Sequence, residues 1–243
     1  MPDAIYIDPR LVLLYDILNP AGADTDFYLR AARPGSRILD IGCGTGLLTR
    51  LFAAAGHRAT GLDPAAAMLD VARANDRAGT VHWIEADARA FSLGERFDLI
   101  TMTGHVFQVF GASEGLQVLQ NAHAHLEDGG RLIFESRNPA ARPWEEWTPG
   151  LSAKTIRHDD IGDVDIHHRL LSVRDDLVAF ETIQQFRRSG ETLTSRSTLQ
   201  FPTKNQIESQ LPSAGFSDVV WLGDWQGGSW SPMSREIIAV ARR

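Results

Sequence analysis

Residues 37–49 read RILDIGCGTGLLT. Arg37–Ile41 is a short apolar run suited to a buried strand, and Gly42-Cys43-Gly44-Thr45-Gly46 ends it with three glycines in five positions. Leu47, Leu48, Leu51 and Phe52 then recur at helical spacing, and Gly56 closes that helix. A strand that turns on glycines into a helix brings backbone amides close to whatever lies beyond the strand's carboxyl end. A dinucleotide turn would place its third glycine at position 47, which is Leu47. A phosphate loop would follow its glycines with Lys-Ser or Lys-Thr, and neither is present. Asp40, two positions before Gly42, narrows the ligand further. Its carboxylate would repel a pyrophosphate and attract an ammonium, so the turn suits a ligand with a cationic amino-acid end.

Outward from this turn the chain alternates. His57–Leu62 reads as a second strand closed by Asp63-Pro64, and Pro64 suits the first turn of a helix whose core face carries Met68, Leu69 and Ala72. Val81–Glu85 and Phe97–Met102 are the third and fourth strands. A helix through Leu116, Leu119 and Leu126 ends at Asp128-Gly129-Gly130, and Arg131–Glu135 is the fifth strand. Nearly continuous apolar strands separated by helices predict a parallel sheet covered on both faces. Right-handed crossovers make it doubly wound. After Asn138 the pattern changes. Prolines 139, 143 and 149 interrupt a segment holding Trp144 and Trp147, and alternation from about 154 to 201 predicts an antiparallel insert with turns at Asp175-Asp176 and Ser189-Gly190. A helix at Gln206–Leu211 and strands at Val219–Leu222 and Glu236–Val240 complete a seven-stranded, mostly parallel α/β sheet. The expected organisation is a helical cap at 1–32, a ligand-binding domain at 33–138 and 203–243, and the insert at 139–202.

Four separated motifs now fall in order. Ile38–Thr49 (ILDIGCGTGLLT) resembles the first motif of the class I S-adenosylmethionine (SAM)-dependent methyltransferases, whose fold is Rossmann-like. Asp63 resembles that family's acidic residue at the end of strand two, where a carboxylate accepts from both ribose hydroxyls. Glu85-Ala86-Asp87-Ala88 resembles the segment that holds the adenine, with Asp87 accepting from the exocyclic amine and the Ala88 amide facing a ring nitrogen. Phe97–Gly104 (FDLITMTG) and Leu126–Phe134 (LEDGGRLIF) resemble the strand-four motif and the approach to strand five. The resemblance covers roughly residues 36–138 and implies SAM as cofactor, S-adenosylhomocysteine as product, and a methyl acceptor. It implies a cofactor site at Asp40, Gly42, Cys43, Gly44, Gly46, Asp63, Pro64, Met68, Asp87, Ala88 and Thr103, with Tyr15 over the methionine end. Bland roles stand beside several of these: Asp63 also suits a helix cap, Asp87 a turn, and Tyr15 core packing.

His105 follows Thr103-Gly104 at the carboxyl end of strand four, where open α/β sheets place chemistry. An ordinary histidine pKa would suit a general base; the alternative is a loop histidine that only shapes the pocket. The Asn- or Asp-Pro-Pro-aromatic motif of base-amino methyltransferases is absent at this place, which disfavours nucleic acid as acceptor. A net charge of -7 points the same way. His167 and His168 point to opposite faces of a strand, and His123 and His125 are two apart on a helix, so no metal site is expected. The tryptophans at 144, 147, 221, 225 and 230 suit an acceptor pocket or the seating of the insert on the sheet. One cysteine, Cys43, excludes an internal disulfide, and no membrane span or secretory signal is read, so the expected compartment is the cytoplasm. The expected activity is methyl transfer to N or O of a small molecule, and a homodimer is allowed. A non-catalytic SAM sensor, or a methyltransferase of protein or nucleic acid, is the alternative.

Overall fold

The structure is a computed structural model, and it describes residues 3–243. Residues 1 and 2 of the expected cap lie outside the described residues. The chain begins with four helices, α1 (Ala4–Ile7), α2 (Pro9–Leu13), α3 (Tyr15–Leu18) and α4 (Ala23–Ala31). Asp8 caps α2 by accepting from the Arg10 amide at 2.9 Å. The alternating region then runs β1 (Arg37–Ile41), α5 (Leu47–Ala54), β2 (Arg58–Asp63), α6 (Ala66–Asn75), β3 (His82–Glu85), β4 (Phe97–Met102), α7 (Ala112–Ala124) and β5 (Leu126–Arg137). After the short α8 (Pro149–Ser152) come β6 (Lys154–His158), β7 (Gly162–Arg174), β8 (Leu177–Phe186) and β9 (Thr192–Gln200). The chain ends with α9 (Lys204–Gln210), β10 (Asp218–Leu222) and β11 (Glu236–Arg242).

Among the described residues the strands form two sheets. The larger has seven strands in the order β10-β11-β5-β4-β1-β2-β3, and only β11 runs antiparallel to its neighbours. The order reverses between β1 and β4, so a crevice opens above their carboxyl ends. Alternate residues face two cores, as the period of a strand requires. Leu39, Ile41, Ile100, Leu132 and Phe134 pack with Leu119 of α7 and Ile207 of α9. Ile38, Leu99, Ile133 and Ile238 pack with Phe52 of α5 and Tyr28 of α4.

The second sheet is the insert, β6-β7-β8-β9, antiparallel throughout. Its long hairpin turns at Asp175-Asp176, with Asp175 at φ 54°, as a two-residue hairpin turn demands. The N-terminal helices join the two sheets. Leu11 and Leu14 are buried against Val164, Ile166 and Phe186 of the insert, whereas Val12 packs on Ala65 and Met68 beside α6. Ser195 accepts from the Ile5 amide at 3.2 Å, and Arg10 pairs with Glu191 at 2.7 Å. Helices α1–α3 therefore roof the crevice, whereas α4 packs on the large sheet through Tyr28.

Within the expected cap, residues 11–18 divide between two helices at Leu14. Two expectations are corrected. The helix expected to begin at Pro64 begins at Ala66, because Asp63 and Pro64 are spent on ending β2. Asp128-Gly129-Gly130 does not precede the fifth strand: β5 starts at Leu126 and carries those residues through an irregular register beside β4.

Candidate functional site

The glycine turn is held from below by main chain. Gly42 and Cys43 donate to the Leu62 carbonyl at 2.7 and 3.1 Å, and the Gly46 amide donates to Cys43 at 2.9 Å. Its glycines have different duties. At Gly46, φ is +75° and a Cβ would lie 2.2 Å from the Trp83 ring, so this glycine admits that ring between β2 and α5. At Gly44, φ is +54° and a Cβ would meet only Tyr15 at 3.8 Å. Gly44 is thus the point of the turn that faces the crevice, and Tyr15 lies above it. Gly42 lies beneath Val106, which a Cβ would strike at 2.5 Å. The Cys43 side chain points inward against Gly61, and burial pushes its thiol well above the ordinary range.

Asp63 ties the end of β2 to this turn. Its two oxygens accept from the Gly44 amide at 2.9 Å and the Ala65 amide at 2.8 Å, so it caps the approach to α6 and orders the turn together. Burial raises its pKa against those two amide bonds. Asp40 lies deeper. Its oxygens accept from Thr49 at 2.6 Å and Thr101 at 2.9 Å, and burial raises it to about 6. Its carboxylate braces β1, β4 and α5 rather than standing open to the crevice; what reaches the crevice is its field. Asp16 of α3 accepts from Thr45 and lies 3.8 Å from Arg50, which fastens the roof to the turn.

Asp87 is ion-paired with Arg89, which also reaches Glu114, and that pairing lowers its pKa. Ala88 is buried, and its carbonyl accepts from Asn121 at 3.2 Å. Met68 is 1% exposed and packs with Val12, Ala65 and Tyr15 under the roof. Pro64 is exposed, and Thr103 half-buried, at the ends of β2 and β4.

His105 overturns the expectation of an ordinary imidazole. It stands in the left-handed region at φ 63°, held there by its amide, which donates to Glu135 at 2.7 Å. Its Nε2 lies 3.0 Å from Glu236, and burial drives its pKa down to about 3. Burial also raises Glu236 to about 7, so the pair sheds its charge readily and Glu236 is the group that titrates near neutrality. No local pattern marks Glu236. It arrives because β11 runs antiparallel, which sets its first residue beside the carboxyl ends of β4 and β5.

Glu135 and Arg137 were likewise unforeseen, although a polar trio, Glu135-Ser136-Arg137, at the end of a buried strand was a readable signal. Glu135 is 2% exposed, accepts from Tyr28 and from the His105 amide, and is raised by burial. Of the tryptophans, Trp147 packs on Phe180 at 4.4 Å and Trp144 on Phe201 at 4.8 Å, contacts within the insert itself. A cavity of about 430 Å³ lined by Asn138, Lys204 and Trp230 shares no residue with the crevice, and Lys204 there rests over the Trp221 and Trp230 rings.

A doubly wound sheet with one antiparallel strand beside its edge and a glycine turn at its order reversal defines a Rossmann-like, class I methyltransferase fold. Comparison with known proteins agrees. Residues 38–130 match a family described as a methyltransferase domain. The cypemycin N-terminal methyltransferase of a Streptomyces species is 25% identical over the whole of both chains. A dTDP-3-amino-3,6-dideoxy-alpha-D-glucopyranose N,N-dimethyltransferase of Streptomyces fradiae is 30% identical over 63% of this chain and 61% of its own. An S-adenosylmethionine-dependent methyltransferase structure from Clostridium acetobutylicum superposes with a TM-score of 0.76 at 18% identity, over 96% of this chain and 97% of its own. Residues 38–130 thus carry a methyltransferase domain, and the full-length similarities support a SAM-dependent enzyme.

Proposed function

We propose that the protein transfers a methyl group from SAM to an amino nitrogen of a small molecule. The observation that carries this reading is the His105–Glu236 pair, 3.0 Å apart at the crevice, with Glu236 raised to about 7. A carboxyl group titrating there attracts an alkylammonium and takes up the proton that must leave before the nitrogen lone pair is free. A hydroxyl acceptor would need a stronger base, and a His105 held near 3 is a poor one. Of the Streptomyces relatives, one is named an N-terminal methyltransferase and the other an N,N-dimethyltransferase of an amino sugar nucleotide.

The residues fit the cofactor. Gly44 offers a stretch of turn that no side chain but Tyr15 covers, and Asp63 beside it is the carboxylate for the ribose hydroxyls. Thr103 and the main chain of Gly42–Gly46 would flank the amino-acid end, the field of Asp40 favours its ammonium, and Asp87 and the Ala88 amide would meet the adenine. The cofactor supplies an electrophilic methyl on a sulfonium, which is already a good leaving group. The chain therefore has to align the amine, exclude water and remove one proton. Tyr15 and the roof perform the exclusion, and the insert presents the acceptor. The lone cysteine and the absence of any helix long and apolar enough to cross a membrane among the described residues support work in the cytoplasm. The test is S-adenosylhomocysteine release across matched primary amines and alcohols. Release with amines and none with the alcohols is expected; release with alcohols alone would sink the reading.

A further inference from the structure

Arg137 ends β5 with its guanidinium buried and mostly unused. One nitrogen, Nη1, donates to Gln108 Oε1 at 3.0 Å. Among the described residues no carboxylate lies within ion-pairing distance of it. The two carboxylates nearest in the fold are committed elsewhere. Glu236, its direct partner across the β5–β11 ladder, turns to His105, and Glu135, two residues earlier on the same face, takes the Tyr28 hydroxyl and the His105 amide. Both carboxylates act on Arg137 only through space, so burial still lowers its pKa, and an anion bonded directly to the guanidinium would relieve that cost.

The guanidinium is also aimed. Gln108 is 0% exposed and its Nε2 donates to the Gln200 carbonyl at 2.8 Å, so its Oε1 is fixed toward Arg137. The Trp147 ring lies 5.9 Å beneath the guanidinium carbon. Tyr6 and Tyr15 of the roof, their rings 6.3 Å apart, both feel the Arg137 charge. Neither hydroxyl has a hydrogen-bond partner among the described residues. The carboxyl end of β5 thus presents a guanidinium edge with donors to spare. A planar carboxylate matches a guanidinium edge with two parallel hydrogen bonds.

We infer that Arg137 anchors a carboxylate of the methyl acceptor, which makes the acceptor an amino acid or another aminocarboxylic acid. This rests on the reading of the chain as an amine methyltransferase. The acceptor's opposite end then faces the Glu236–His105 pair, so the charges of a zwitterion run the same way as those of the crevice. Arg137 is held by Gln108, itself bonded to the Gln200 carbonyl, and by Trp147, on the insert side of β4, whereas the glycine turn lies beyond β4 on β1. That places the carboxylate on the acceptor rather than on the methionyl end of the cofactor.

The experiment uses the full chain saturated with S-adenosylhomocysteine and titrated with acetate, benzoate and indole-3-acetate against their carboxamides, bound ligand being read by saturation-transfer NMR. The carboxylates should bind at least tenfold more tightly than the amides. Arg137→Met should abolish the difference while changing the affinity for S-adenosylhomocysteine by less than about twofold. Where the methionine variant does not fold, Arg137→Lys is read in its place and should lose most of the preference, because a lone ammonium cannot make the paired contact. Equal binding of acid and amide to the parent protein, or a preference that survives the substitution, overturns the proposal. A tenfold loss of S-adenosylhomocysteine affinity also overturns it, by assigning Arg137 to the cofactor's own carboxylate. These are binding measurements, so they stand apart from the amine assay: failed methyl release from amines with an intact carboxylate preference would remove the amine reading and leave the anion site.

Discussion

Two carboxylates with raised pKa values give the residue scale its sharpest expectations. Asp40, ordinarily near 3.8, is held at about 6 by burial, so near pH 6 the free protein carries it partly protonated. A cationic ligand settling within its field favours the ionised form, and cofactor binding at pH 5.5–6 should therefore release a proton. Calorimetry in buffers of different ionisation enthalpy reads that proton; identical heats in all buffers would show that the ligand's charge does not reach Asp40. Glu236 is raised from 4.5 to about 7, and its ionised form is the proton acceptor, so turnover should rise as pH passes through 7. Glu236→Gln should erase that limb and lower kcat by roughly 10²–10⁴-fold. Stability gives an independent check. A buried acid with a raised pKa keeps a proton that the unfolded chain has released, so its contribution falls as pH rises from 4.5 to about 7, by on the order of 3 kcal/mol. His105 works in the opposite sense. Its pKa is depressed from 6.5 to about 3, so its contribution rises with pH across that window. Denaturant titrations between pH 4.5 and 6.5 should then show a more positive slope of stability with pH in Glu236→Gln than in the parent protein.

At the scale of elements, the glycine turn separates packing from binding. Gly46→Ala sets a methyl 2.2 Å from the Trp83 ring in a left-handed backbone, so it should cost on the order of 3 kcal/mol. Gly44→Ala meets only Tyr15 at 3.8 Å and should cost about 1 kcal/mol, while weakening cofactor binding more than Gly46→Ala does per unit of stability lost. Urea unfolding paired with S-adenosylhomocysteine titration separates the two; equal stability losses would refute the division of labour. The same turn shows what local sequence can carry. Arg37–Ile41, the glycines and the following helix lie where their spacing puts them, because strand period, turn chemistry and helix period all act within a few residues. Glu236 lies 99 positions beyond Arg137, its partner across the ladder, and no short-range pattern links them.

Across the whole molecule, the N-terminal helices hold the two sheets together over the crevice. Leu14 is 0% exposed between the roof and the insert, so Leu14→Ala should cost roughly 2–5 kcal/mol of roof docking. The sheet cores do not contain Leu14, so the loss should appear as faster amide exchange confined to residues 4–18 and the facing insert strands, with several-fold weaker S-adenosylhomocysteine binding as Tyr15 is released. Uniform loss of protection throughout the chain would show that roof and sheet unfold as one unit. Since the insert is the roof's partner, removing residues 154–201 should weaken cofactor binding as well as acceptor transfer.

The sequence by itself determined the alternating sheet, the position and glycine spacing of the turn, the antiparallel insert with its Asp175-Asp176 hairpin, and the kind of cofactor. All of these depend on periodicity, backbone conformation or contiguous motifs, which are written in neighbouring residues. Only the tertiary structure decided how the charges of the crevice stand. His105 became a weak base and Glu236 a group near 7 because both were taken out of water together, and Asp40 became a brace because Thr49 and Thr101 converge on it. Arg137 kept free donors because its two neighbouring carboxylates found other partners. Burial and pairing are properties of the assembled chain, since each depends on residues that meet only when distant segments close around the same space.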